Sequence, residues 1–376
     1  MAFISLSQKK LNLIDLIVLA SYYFFSIFLL LSLLGLFKKE FIIATLVVGF
    51  LLFLIFFWKK VEFKKHYLYF FILIPILFTG ILLFKGSFGG DGIHFWLPWA
   101  REIVLQERMP DFLFNTISWF TSRMPLMPLF YAGMFSLFGF APWVIAILPF
   151  FFAGATAFLL YQWLLEKGVK KNYIIFGILL LLTNPLFLDH AGEIRKEVFI
   201  LFFFTAFFYY LEKFQLVVSS SNQKRTLYFL LVFLSAVLTA VSKSTGLFVL
   251  LPLFFLFIRN KNKQLKRPYF YLFLTFPLFL WLLRNYLIYD NPIFPFLGGV
   301  FKGQYYNLVL IGDQIAQNFN PPFWNNILAR IAEAPISLFL LFSPLGILSF
   351  YGFWKKRKIQ YILLFFIFSL ILLLII

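Results

Sequence analysis

Residues Thr226–Ile258 read TLYFLLVFLSAVLTAVSKSTGLFVLLPLFFLFI, 33 residues with one charge, Lys243. A single helix of that length would be about 50 Å long at 1.5 Å per residue, well beyond the roughly 30 Å hydrocarbon core of a bilayer. The stretch therefore has to break. Basic clusters flank both of its ends, Lys224 and Arg225 on one side and Arg259, Lys261, Lys263, Lys266 and Arg267 on the other. Two basic clusters on one membrane face require two crossings that meet near Ser242–Gly246, which puts Lys243 at the opposite face.

The same pattern recurs outward from this hairpin. Further apolar runs are Leu11–Phe37, Phe41–Trp58, Tyr67–Phe84, Pro142–Leu165, Tyr173–Leu188, Val198–Leu211, Tyr269–Leu287, Ala334–Phe353 and Ile359–Ile376, with the stretch itself supplying Thr226–Val241 and Gly246–Ile258. The fold expected is all-α, a polytopic membrane protein of about eleven transmembrane helices. The composition agrees: 62% of the 376 residues are hydrophobic and 13% charged, which excludes a soluble enzyme and a disordered chain. There is no cysteine, so disulfides, thiolate metal sites and thiol nucleophiles are excluded together. The first run is too long for a signal-peptide core and lacks a small-residue cleavage site, so it reads as a retained helix.

Charge sets the orientation. Met124–Phe138 is apolar, but it is short and contains Pro125 and Pro128. If it stays on the outer face as a surface helix, 21 of the 33 Lys/Arg and only 4 of the 15 acids fall on the cytoplasmic side. If it crosses, that distribution inverts and breaks the positive-inside rule. The net charge of +18 then records topology and attraction to anionic membrane lipid, not a nucleic-acid partner. Three parts follow: 1–66, an N-terminal transmembrane hairpin; 67–296, a membrane core with an outer loop over 85–141; and 297–376, an outer loop and a C-terminal transmembrane hairpin.

Eleven of the fifteen carboxylates then lie outside, and candidate chemistry lies with them. The first outer loop runs Lys85-Gly-Ser-Phe-Gly-Gly-Asp91-Gly-Ile-His94-Phe-Trp96-Leu-Pro-Trp99-Ala-Arg101-Glu. Its glycines permit a sharp exit from the membrane, and Pro98 to Leu105 can form an amphipathic surface helix. Asp91 just above the bilayer reads equally as a general base toward an acceptor hydroxyl or as a solvated turn residue that caps the surface helix.

The order of four segments resembles the C-type polytopic membrane glycosyltransferases, which include protein O-mannosyltransferases and aminoarabinose transferases. They are the first-loop acid with its Ala-Arg-Glu-Ile helix, the Met124-Pro-Leu-Met-Pro-Leu-Phe-Tyr segment, Asp189-His-Ala-Gly-Glu-Ile-Arg-Lys-Glu197 with Thr239-Ala-Val-Ser-Lys-Ser-Thr-Gly246, and Trp281-Leu-Leu-Arg-Asn followed by Asp290-Asn-Pro-Ile-Phe-Pro-Phe. The resemblance covers about Tyr67 to Phe296. It implies an extracytoplasmic enzyme of the plasma membrane, of prokaryotic type, that moves a sugar from a polyprenyl-phosphate donor to a glycan, lipid or protein acceptor.

In the same terms, Asp91 is the implied catalytic acid, and the second outer-loop acid falls on Glu197, with Glu193 as its rival. Departure of a phosphate builds negative charge that fixed cations stabilise, and Lys243, Arg284 and Arg195 are the outer-face cations placed for it. If Gly246 opens a helix, its free N–H groups would help hold the anion. His94, Trp96, Trp99 and Arg101 are candidates for sugar or acceptor contact.

Each residue also has a plainer role. Lys243 can snorkel from a hairpin to the headgroups, Arg284 can anchor at the interface, Glu197 can pair with Arg195 or Lys196, and the tryptophans can belong to an aromatic belt. Many members carry a second acid directly after the first, whereas Gly92 stands here. No cofactor is certain: a divalent metal on Asp91 and His94 is possible but is not supported by a paired-acid motif. The runner-up function is a transporter or flippase of lipid-linked glycans, for which Asp15 is the one ionisable residue inside an expected span.

Overall fold

The computed structural model describes residues 11–56, 96–110, 124–182, 187, 197–216, 222–253 and 268–293. All belong to the first of two compact units, Met1–Gln304; the second, Tyr305–Ile376, lies outside the described residues. The described chain is helical, with no strand. Three segments are long and apolar enough to cross a membrane: Leu13–Leu33, Ile147–Glu166 and Lys224–Ser242. The expected spans Tyr67–Phe84, Ala334–Phe353 and Ile359–Ile376 lie outside the described residues.

Helix α1, Leu13–Leu33, begins with a reciprocal cap. Asn12 Oδ1 accepts the Asp15 N–H at 2.8 Å, and Asp15 Oδ2 accepts the Asn12 N–H at 3.0 Å. It ends four residues short of the expected Phe37 because Gly35 turns left-handed at φ 70° and the Leu36 N–H closes on the Leu31 carbonyl at 2.8 Å. Asp15 is 1% exposed and also accepts the Tyr210 hydroxyl at 2.8 Å. The acid read as lying inside a span is therefore the cap that starts one, and its burial is offset by hydrogen bonds.

Helix α2, Lys39–Phe56, returns beside α1, held where the Tyr23 hydroxyl donates to the Thr45 carbonyl at 3.0 Å. Its outer surface shows Val47, Val48, Phe50 and Ile55, all half or more exposed except Val48 at 49%, as a lipid-facing surface requires. The long α5, Pro142–Glu166, is followed by α6, Lys171–Leu182. Next come α7, Glu197–Leu216, and α8, Asn222–Ser242, which form an antiparallel hairpin at the centre of the unit. Phe199, Phe202, Phe203, Phe207, Val237 and Ala240 are fully enclosed there. Phe152 of α5 seats against Phe199 at 4.6 Å and Phe203 at 5.4 Å.

The expected break in Thr226–Ile258 is present. α8 stops at Ser242, and a 3₁₀ turn, Ser244–Val249, reverses the chain. The closing described helix is α9, Pro268–Tyr289.

Two short helices stand apart from these. The first-loop helix α3 runs Leu97–Gln106, close to the expected Pro98–Leu105, and ends where Glu107 takes a left-handed φ of 55°. α4, Leu126–Phe138, starts two residues after the expected Met124 and ends as expected, and it is buried against other helices instead of lying exposed. Leu126, Met127, Leu129, Tyr131 and Ala132 are all at 0% exposure, and Gly133 meets the Phe28 ring of α1 so closely that a β-carbon would overlap it. An apolar helix with no polar face gains more by inserting among α1, α3 and α5 than by lying on headgroups. Its C-terminal end still returns toward α3, since the Arg101 guanidinium lies 5.9 Å over the Phe140 ring.

Candidate active site

Two of the candidates that the structure describes are in direct contact, Glu197 and Lys243. The antiparallel α7–α8 hairpin brings the first residue of α7 beside the residue that follows α8, so Lys243 Nζ donates to Glu197 Oε1 at 2.9 Å. The side chains are 29% and 34% exposed, so the pair is reachable from solvent. Glu197 also sits in the first turn of α7, where the helix dipole favours a carboxylate.

Lys243 is held at the apex of a tight reversal. Thr239 Oγ1 and Ser242 Oγ bond back to the Ser235 and Leu238 carbonyls at 2.7 and 2.6 Å as α8 ends. The Gly246 N–H then donates to the Lys243 carbonyl at 2.8 Å. A β-carbon on Gly246 would overlap the Thr239 carbonyl, so only glycine lets the 3₁₀ turn fold down on the helix end. The expectation that Gly246 offers a free N–H to an anion is corrected: that proton closes the turn.

Arg284 has partners of another kind than a phosphate. It is 6% exposed, Nη2 donates to the Pro110 carbonyl at 2.8 Å, Nη1 donates to Asn285 Oδ1 at 3.1 Å, and the guanidinium lies 4.8 Å over the Trp281 ring. Two hydrogen bonds and a desolvated cation–π contact hold it in place. Trp281 is in turn 6.2 Å from Trp99, and Trp99 is 6.0 Å from Trp96. Trp96 and Trp99 are 2% and 0% exposed. Their rings pack inside the protein, Trp99 between Trp96 and Trp281. Arg101, by contrast, is exposed on α3.

The strand of backbone after α3 is pinned to α1. The Phe37 N–H donates to the Glu107 carbonyl at 2.9 Å, the Met109 N–H donates to the Ser32 carbonyl at 2.8 Å, and Lys38 pairs with Glu107 at 3.3 Å. Asp91, His94, Glu193 and Arg195 lie outside the described residues. Among the described residues no group of three His, Asp or Glu side chains gathers.

Sequence reasoning missed Trp281 and Pro110 as the partners of Arg284. Trp281 was legible, because three residues along a helix share a face. The Pro110 carbonyl had no signal, being main chain that meets Arg284 across 174 residues.

Residues 111–276 match the family model of dolichyl-phosphate-mannose-protein mannosyltransferase. The matched stretch is 166 of the 376 residues, and it stands as a likeness to that family. It spans α4, the α7–α8 hairpin, the Glu197–Lys243 pair and the reversal at Gly246. No curated protein and no solved structure matches the chain.

Proposed function

We propose that this protein transfers a sugar from a polyprenyl-phosphate donor to an acceptor hydroxyl at the extracytoplasmic face of the membrane, with Asp91 as general base. The acceptor oxygen attacks the anomeric carbon, its proton passes to the Asp91 carboxylate, and the bond from that carbon to the phosphate oxygen breaks with its electrons on the phosphate. Attack opposite the leaving group inverts the anomeric centre. Lys243 is the cation that receives the departing phosphate, and Glu197 orients the ammonium until the donor arrives. The observation that carries the reading is the Glu197–Lys243 contact, about one-third exposed, inside the segment that matches the mannosyltransferase family model.

Asp91→Asn tests it, because an amide keeps the volume and most hydrogen bonds but takes no proton at neutral pH. Transfer of radiolabelled sugar should fall about 10²–10⁴-fold with affinity for undecaprenyl phosphate unchanged. Unchanged turnover would leave Asp91 as a turn residue. An active Asp91→Asn beside an inactive Glu197→Gln would move the base to the start of α7.

A further inference from the structure

An apolar cavity of about 370 Å³ lies between α1, α2, α4 and α5. Ile17, Phe28, Phe130 and Phe152 form its buried floor, while Ala20 at the rim is exposed and Met134 half-buried, so the cavity opens at the surface. Of its described lining side chains only Ser21 is polar, and none is charged. The opening continues onto the lipid-facing surface of α2. Leu46 lines the cavity, and Phe50, one turn on along the same face, is 59% exposed. The walls cannot close the space by moving together. Gly49 of α2 already meets the Tyr23 ring of α1, and Gly133 of α4 meets the Phe28 ring, each so closely that a β-carbon would overlap.

We propose that this cavity is the binding site of one unbranched acyl chain of a bilayer phospholipid. Left empty, it would forfeit the dispersion contacts of its lining, and water would find one hydroxyl to bond. A chain from the adjoining bilayer gives up no hydration on entering. Size decides which hydrocarbon fits. An apolar cavity of about 150 Å³ takes benzene, so at the same packing this one holds about fifteen carbons. α1 lines it from Leu16 to Phe28, a rise of about 18 Å. Spread over that length, the volume leaves a cross-section of about 20 Å², one straight chain wide and too narrow for the side methyls of an isoprenoid. The chain also braces the site end of the bundle, because the floor rings Phe130 and Phe152 meet Phe199, two residues after Glu197, at 6.3 and 4.6 Å. The proposal requires neither Asp91 nor sugar transfer.

The test uses the full chain in nanodiscs of phosphatidylglycerol and phosphatidylcholine that contain a small share of phosphatidylglycerol with a diazirine midway along one acyl chain. After irradiation, peptides covering residues 16–28 and 130–137 should carry the label at least 5-fold above the exposed face of α2 at Val47, Phe50 and Ile55, which lipid covers without a cavity. Ala20→Trp sets an indole across the opening. It should lower cavity labelling at least 5-fold and leave the α2 face labelled as before. If Ala20→Trp does not fold, Met134→Trp fills the same space from α4 and should act alike. Undecaprenyl phosphate, added at the mole fraction of the labelled lipid, should not reduce the signal. Cavity labelling no higher than that of α2, or labelling that survives both substitutions, would overturn the proposal. So would its loss to undecaprenyl phosphate, which would give the cavity to a polyprenyl tail. A protein that transfers no sugar but labels as stated would remove the enzyme reading and keep the lipid site.

Discussion

Glu197 and Lys243 are 46 positions apart in the chain and meet at 2.9 Å, joining the open end of the α7–α8 hairpin. With both side chains about one-third exposed, such a pair contributes at most about 1 kcal/mol to stability. The Phe-rich contact between α5 and α7 also holds that end together, so fold and activity can be tested separately at this pair.

Glu197→Gln and Lys243→Met should accordingly leave the unfolding temperature in detergent nearly unchanged and reduce sugar transfer about 10²–10³-fold, the range for losing one donor at a developing anion. Combining Glu197→Lys with Lys243→Glu restores an ion pair but reverses the charge that meets the phosphate. The swapped protein should fold and remain inactive. Recovery of transfer by the swap would show that the pair is structural only.

Gly246→Ala places a β-carbon on the Thr239 carbonyl, an atom of the backbone that cannot swing aside. The turn must open, at about 1–3 kcal/mol, and Lys243 moves with it. Thermal unfolding followed by tryptophan fluorescence should show the loss, and donor affinity should weaken in the same variant.

Tyr210→Phe removes one hydrogen bond to a buried carboxylate, a loss of about 1.5–3 kcal/mol, while Asp15→Ala removes that bond and the Asp15 half of the reciprocal cap of α1 together. Both variants should unfold earlier, with Asp15→Ala the more affected, and both should keep wild-type donor affinity. A selective loss of substrate movement in Asp15→Asn with unchanged stability would instead favour transport.

Sidedness is checked with single cysteines in place of Lys38 and Lys170, both exposed. The charge count puts Lys38 outside and Lys170 in the cytoplasm. An impermeant thiol reagent should label intact cells at position 38 and label position 170 only after permeabilisation. The reverse pattern would invert the topology and take the extracytoplasmic reaction with it.

The helical fold and the break in Thr226–Ile258 were legible because both follow from length against bilayer thickness, a constraint that acts on composition alone. The boundaries of α3 and α4 were legible from proline and glycine. The depth of α4 was not, because Leu126–Phe138 is as apolar as a span and charge counting fixes only the side of its ends, leaving open whether the middle lies on lipid or among helices. Glu197 and Lys243 were each singled out, yet their contact was not foreseen. Arg195 and Lys196 are nearer in sequence, and only the antiparallel pairing of α7 with α8 brings Lys243 across. For Arg284 the sequence carried the charge but not the surroundings, and burial against Pro110 changes what a guanidinium can do.

At the far end of the same helices, α5 and α7 are cross-fastened. Glu166 pairs with Lys213 at 2.6 Å, Lys167 pairs with Glu212, the Trp163 indole donates to Glu212 at 2.7 Å, and the Tyr209 hydroxyl donates to Glu166 at 3.1 Å. The two helices are thus riveted at both ends, by crossed charges here and by packed phenylalanine rings near Glu197, and the Glu197–Lys243 pair stands on a braced strut instead of a free helix end.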